Sequence, residues 1–187
     1  MTYKRHRRLG VIVALACCVA GPATAKVVDS SSSGFSLENH VEVATDADTT
    51  WKALVEDVGR WWPRDHTWWG EKSVLEIEPR AGGCFCERHE GNEALHMLVT
   101  FVQPGELLRM TGGLGPLQGM GLHGVLEFRL AEAQTGTGIG GTRVTMFYRA
   151  GGYTPDDLSA LAPVVDAVQA LQLGGLASYL RGSPPGP

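Results

Sequence analysis

The stretch TRVTMFYRAGGYTPDDLSALAPVVDAVQALQLGGLASYL, residues 142–180, decides the fold. Its first part alternates: Val144, Met146 and Tyr148 fall on one face, the period of a half-buried strand. After Pro155 the period becomes helical. Leu158, Leu161, Val165, Val168, Leu176 and Tyr179 form an apolar stripe over residues 156 to about 181. Gly174 and Gly175 interrupt this helix, where glycine costs roughly 1 kcal/mol each relative to alanine.

Working back from there, strand signals follow one another. Leu126, Phe128 and Leu130 share a face in LHGVLEFRLAEA, and ELLRMTG, ALHMLVTFV, CFCERH and SVLEIEP precede it, separated by short turns. The first strand, residues 35–43, places Phe35, Leu37, Val41 and Val43 on one face with Asn39 as its single inward polar residue. Between it and the others, Trp51, Leu54, Val55 and Val58 stand at helical spacing, and Pro63 ends that helix. The order is one strand, a short helical segment, six strands and one long helix. Hairpin succession makes the sheet antiparallel. The expected class is therefore α+β, a bent seven-stranded antiparallel sheet wrapped around a long C-terminal helix. One helix cannot fill the concavity of seven strands, so a space should remain between them.

Two glycine-rich stretches lie between strands. GTGIGG, residues 136–141, lacks the strand-to-helix context of a dinucleotide fingerprint and reads as a hairpin turn. GGLGPLQGMG, residues 112–121, carries Leu114, Leu117 and Met120, which suits an apolar rim or lid.

The N-terminus has a different grammar. Lys4, Arg5, Arg7 and Arg8 precede an apolar run and Ala23-Thr24-Ala25, the order of a secretory signal peptide cleaved after Ala25. The run is too short to span a bilayer. Cys17 and Cys18 sit in poor lipobox contexts, so no stable membrane anchoring is expected, and general export fits better than the twin-arginine route. Periplasmic or secreted location follows. Residues 26–34 then read as a flexible spacer, 35–182 as one domain and 183–187 as a disordered tail. Removing the four leader cations from 16 Lys+Arg leaves 12 against 20 Asp+Glu, a net charge of −8. No basic stripe exists for a phosphate backbone, which excludes nucleic acid as the expected partner.

Beyond the leader only Cys84 and Cys86 remain. They are one residue apart in an apparent strand, spacing that strains a disulfide, and they are expected as buried or half-buried thiols. Adding His89 gives C-x-C-x-x-H, but with the wrong strand parity and no fourth ligand. No metal or cofactor is expected.

The candidate site is GRWWPRDHTWWGEKS, residues 59–73, which holds four of the five tryptophans in a polar loop. Each tryptophan can bury about 150–250 Å², so a monomer would not ordinarily leave all four in water. One of each doublet is assigned to packing and one to a cavity mouth, with Trp62 and Trp69 at the mouth. His66 and Asp65 supply a polar handle. His66, backed by Asp65 or Glu71, could also act as a general acid or base, for example on an acidic C–H. His40, His89, His96 and His123 are scattered on strands, at solvent or bonded to neighbours.

The runs TTWKALVEDVGRWWPRDHTW, LEIEPRAGGCFCER and GTRVTMFYRAGGY, with APVVDAVQALQLGGLASYL at the end, resemble the START-like, or SRPBCC, superfamily. The nearest branch is the polyketide-cyclase and chaperone-ATPase-activator-homologue group. The resemblance covers nearly all of residues 35–181 and implies the helix-grip fold. Members bind lipids, hormones or aromatic polyketides or assist chaperones, and no shared catalytic set transfers residue by residue. The leading functional expectation is a small hydrophobic or aromatic ligand bound between sheet and helix by Asn39, Trp62, His66, Trp69, Met120 and Tyr148. A cyclase-like or hydrolase-like enzyme using His66, and a periplasmic protein-interaction module, are the alternatives. The latter would require an exposed tryptophan patch without a cavity.

Overall fold

A computed structural model describes residues 24–133 and 140–182, with backbone alone at Thr24 and Ala25. Most of the leader, most of the GTGIGG turn and the tail lie outside the described residues. The elements in chain order are β1 (Thr24–Ser31), β2 (Gly34–Val43), α1 (Ala47–Glu56), α2 (Val58–Trp61), β3 (Val74–Ile77), β4 (Cys84–His89), β5 (Asn92–Gln103), β6 (Leu107–Gly112), β7 (Leu122–Ala133), β8 (Gly141–Gly152) and α3 (Leu158–Leu180). Single 3₁₀ turns at Arg64–His66, Gly70–Lys72 and Gly115–Leu117 shape the loops.

The strands form one antiparallel sheet in the order β1-β2-β8-β7-β6-β5-β4-β3. It has eight strands where the alternation pattern predicts seven. The extra one, β1, falls on residues read as the leader's end and a flexible spacer. Val27 packs on the core there, and the backbone pairs with β2 from Thr24 opposite His40 to Ser31 opposite Gly34. The inward residues are those of the period-2 pattern: Leu37, Leu126, Phe128, Val144, Met146 and Tyr148 are fully buried. Each such side chain contributes on the order of 1.5–3 kcal/mol by leaving water.

Helix α1 starts at Asp46, whose carboxylate accepts the Thr49 amide hydrogen at 2.8 Å, a side-chain N-cap. Trp51 and Leu54 of this helix face the core. Helix α3 is capped in the same way by Asp157, which accepts from the Ser159 amide at 3.0 Å. It packs against β1, β2 and β8 and against α1 and α2.

The face that α3 buries differs from the predicted stripe. Leu158, Ala162, Leu173 and Leu176 are buried, but so are Asp166, Gln169 and Gln172, while Val164 and Leu171 are 58% and 62% exposed. Leu161, Val165 and Val168 are only half-buried. By length and mean hydropathy α3 could cross a membrane, yet here it lies in the grip of the sheet with polar groups turned inward. Buried polar groups cost free energy unless they are bonded. This inversion of polarity is the first sign that the inner face of α3 serves more than packing.

Cys84 and Cys86 are not free thiols. A disulfide joins them, with Cα atoms 5.4 Å apart, inside the range that disulfides span. Both point to the outer face of β4 as half-buried residues, while Phe85 and Glu87 point inward and are buried. Positions i and i+2 of a strand share a face, and this pair is close enough to close. Bonded sulfurs cannot serve as thiolate ligands. Among the described residues no group of three or more His, Cys, Asp or Glu side chains could hold a metal ion.

Candidate functional site

A cavity of about 460 Å³ opens between α3 and the loops over the β5 side of the sheet. Three separated segments and one strand build it. Trp62, His66 and Trp68 come from the tryptophan loop, Leu117 and Met120 from the glycine-rich loop, His96 from β5, and Val165, Val168, Gln169 and Gln172 from α3. A wider depression of about 750 Å³ lies along β1, β2, β7 and β8 around Phe147 and Arg149. It is shallow and open, and none of its lining residues carries an unpartnered buried polar atom. The site is therefore the deeper cavity beside α3.

The tryptophan loop is held by its own polar residues. The Arg64 guanidinium donates to the Ser73 carbonyl at 2.8 Å and to the Gly59 carbonyl, tying the two ends of the loop together. Thr67 Oγ1 donates to the Arg64 carbonyl at 2.6 Å. Within this frame the doublets separate. Trp61 is sealed in the core, its indole N–H donating to the Ala53 carbonyl at 3.0 Å. Trp62 forms cavity wall, its indole N–H on the His66 carbonyl at 3.2 Å and its ring edge-on to Phe85 at 5.1 Å. In the second doublet Trp68, 51% exposed, stands at the cavity rim. Trp69, expected there, turns away toward His89, with ring centroids 6.3 Å apart.

Of the six residues expected to contact a ligand, the structure brings Trp62, His66 and Met120 together in the cavity wall. Asn39 lies behind α3 and is completely buried; its side-chain amide donates to Asp166 at 3.0 Å, linking β2 to the helix. Tyr148 is inward as its parity requires, yet it sits in the core against Phe35 rather than in the cavity wall. Burial pushes the Tyr148 phenol up to about 12, offset slightly by the Leu114 backbone. Its hydroxyl has no hydrogen-bond partner of ordinary geometry.

His66 does not have the carboxylate support that acid–base chemistry would want. Among the described residues neither Asp65 nor Glu71 bonds to its ring, and its buried Nδ1 has no partner. The histidine that does have a carboxylate is His96. Its Nε2 lies 2.8 Å from Glu87 Oε2, and both residues are buried, Glu87 completely. Glu87 Oε1 in turn accepts from Ser73 Oγ at 2.6 Å, the Trp68 amide at 2.7 Å and the Trp69 amide at 3.3 Å. A buried carboxylate is retained only where donors surround it, and here the same donors fix the tryptophan loop over the cavity.

His96 reaches the cavity through a β-bulge. The β4–β5 register passes from Phe85 opposite Met97 to Cys86 opposite Leu95, so His96 is an extra residue with no partner. Strict alternation would turn either His96 or Met97 inward; the bulge buries both. The polar half of the cavity is completed by α3. Gln169 is 1% exposed with neither amide atom bonded, and Gln172 is 4% exposed with its Oε1 unbonded. With His66 Nδ1, four of the six unpartnered buried side-chain atoms among the described residues belong to residues of this one wall.

No protein-family model and no curated protein sequence matches the chain. Solved structures do match it, at the level of fold. A conserved protein of unknown function from Enterococcus faecalis aligns with a TM-score of 0.56 at 15% identity, covering 87% of this chain and 80% of that one. CalU16 from Micromonospora echinospora aligns at 0.54 and 14%, covering 84% and 86%. Truncated norcoclaurine synthase from Thalictrum flavum aligns at 0.51 and 12%, covering 86% and 96%. The chain has the helix-grip fold: an antiparallel sheet closed around a C-terminal helix.

Proposed function

We propose that this is an exported protein that binds a small hydrophobic or aromatic molecule in the cavity between the sheet and α3. The observation that carries the reading is the combination of an apolar wall with an unpartnered buried amide at Gln169, an unpartnered amide oxygen at Gln172 and a buried ring nitrogen at His66. Small-molecule sites are apolar cavities with a few convergent polar groups, and about 460 Å³ lies within the roughly 300–1,000 Å³ that they occupy. Export rests on the basic head, apolar run and A-x-A site of residues 1–25. The fold shared with norcoclaurine synthase is compatible with catalysis as well. An enzyme using His66 as its acid or base has less support, because no carboxylate partners that ring. A pure interaction module has less again, because Trp62 is buried in a cavity wall rather than displayed in a patch.

Native mass spectrometry of the protein purified from its own host should show a co-purifying small molecule. In parallel, the anisotropy of 2-methoxynaphthalene fluorescence should rise on titration with protein, and Val168→Phe, which fills the cavity from α3, should abolish the rise. A clean apo mass together with no binding of the probe would remove the ligand reading.

A further inference from the structure

Glu87 has its proton-donor inventory filled. Three donors reach Oε1, from Ser73, Trp68 and Trp69, and Oε2 faces only His96 Nε2. The neighbouring cation, Arg64, is engaged on two main-chain carbonyls instead. With the carboxylate as acceptor, Nε2 carries the imidazole proton and Nδ1 carries the lone pair. That second nitrogen makes no hydrogen bond among the described residues, and His96 is part of the cavity wall.

We propose that the Glu87–His96 pair is the recognition site for an acidic hydroxyl, so that the ligand class is an aromatic molecule carrying a phenolic or enolic O–H. This rests on the cavity-binding reading above and narrows it. The O–H donates to His96 Nδ1, and Glu87, hydrogen-bonded at the opposite nitrogen, fixes the orientation of the ring. Once covered by a bound ligand such an acceptor discriminates, because a ligand without the hydroxyl strips it of water and leaves it unpaired. Trp62 and Trp68 supply aromatic surface for the ring system, and the free amide of Gln169 offers one donor and one acceptor for a second polar group, such as a carbonyl. The bulge at His96 is part of the same design, since it turns this ring inward without giving up Met97 from the core. His96 is thus a ligand-contacting residue, and Glu87 a positioning residue acting through it.

The test uses a matched pair of probes, 2-naphthol and 2-methoxynaphthalene, in which a methyl group replaces the hydrogen at issue. The wild-type protein should bind the naphthol about tenfold more tightly than the ether, the worth of one hydrogen bond of roughly 1.4 kcal/mol. His96→Ala should bring the two within about twofold of each other, and Glu87→Gln should reduce the preference. Nitrogen-15 NMR on the unmodified protein adds a readout that needs no variant: the His96 Nδ1 resonance should move with naphthol and stay with the ether. Equal binding of both probes to wild type, or a preference that survives in His96→Ala, would overturn the hydroxyl site and leave the binding cavity standing. If neither probe binds, both the hydroxyl site and the binding cavity fall.

Discussion

The carbonyl oxygen of Trp61 lies so close over Gly175 of α3 that a Cβ on residue 175 would overlap it. The contact brings the start of the tryptophan loop onto the helix, with Pro63 also in reach of that position at 3.7 Å. A Cβ on the neighbouring Gly174 would meet nothing within 4 Å. The paired glycines that interrupt the helical pattern therefore have different reasons to be there.

The two should respond in opposite directions to the same change. Gly175→Ala forces the loop off the helix, and overpacking of this kind costs about 1–3 kcal/mol. Gly174→Ala gains helix propensity without a clash and should stabilise by up to about 1 kcal/mol. Urea unfolding of the two variants decides it. Equal effects would mean that the Trp61 approach is looser in solution than in the structure.

Much of the sheet was legible because period-2 alternation is a direct consequence of one covered face. Tyr148, Met146 and Val144 fell inward on that rule alone, and so did Leu126 and Phe128. The site was less legible, for three physical reasons. The bulge at His96 breaks the parity on which strand reading depends. Glu87 is a charge at an inward position, which pattern reading treats as noise; set beside the buried Phe85 two residues earlier, it was the available signal. Trp68 and Trp69 are held by amides that both turn to Glu87, a contact 18–19 residues away that local sequence does not encode. Strand β1 was missed because Thr24–Ser31 overlaps the residues read as a leader's end, and the serine run that turns it into β2 was read as a flexible spacer.

The Cys84–Cys86 disulfide closes a very short loop, so the chain entropy it removes from the unfolded state is small. The loop-closure relation gives about 1.6 kcal/mol for three residues. Cys84→Ala/Cys86→Ala should therefore fold and lose no more than about 2 kcal/mol in urea. In the unreduced mature protein both sulfurs should resist alkylation. A double variant that does not fold would assign the bond a structural role much larger than its loop length supports.

The proposed cleavage after Ala25 would leave Lys26 as the first residue and keep the β1–β2 pairing from Lys26 opposite Glu38 onward. The exported protein should have the intact mass of residues 26–187. Full-length mass, or a lipid-modified N-terminus, would remove both the leader and the periplasmic or secreted location proposed with it.

The Tyr148 hydroxyl makes a prediction that separates packing from function. It is buried without an ordinary partner, so Tyr148→Phe removes a desolvated polar group and should leave stability at pH 7 unchanged or raised by about 1 kcal/mol. Alkaline pH tells more. In the unfolded chain the phenol ionises near its ordinary value of 10.0, whereas burial holds it protonated in the fold up to about 12. The folded state thus keeps a proton that the unfolded state has already lost, and stability must fall as pH rises through that window. Two units correspond to about 3 kcal/mol, with the effect fully absent below pH 10. Tyr179, whose phenol is also raised, by burial and then by Asp57, remains in both proteins, so the difference between wild type and Tyr148→Phe isolates residue 148. Urea unfolding at pH 7, 10 and 11 should show the wild type losing stability faster than the variant. If the two curves run parallel, the hydroxyl has found water or a partner, and Tyr148 belongs to the cavity after all.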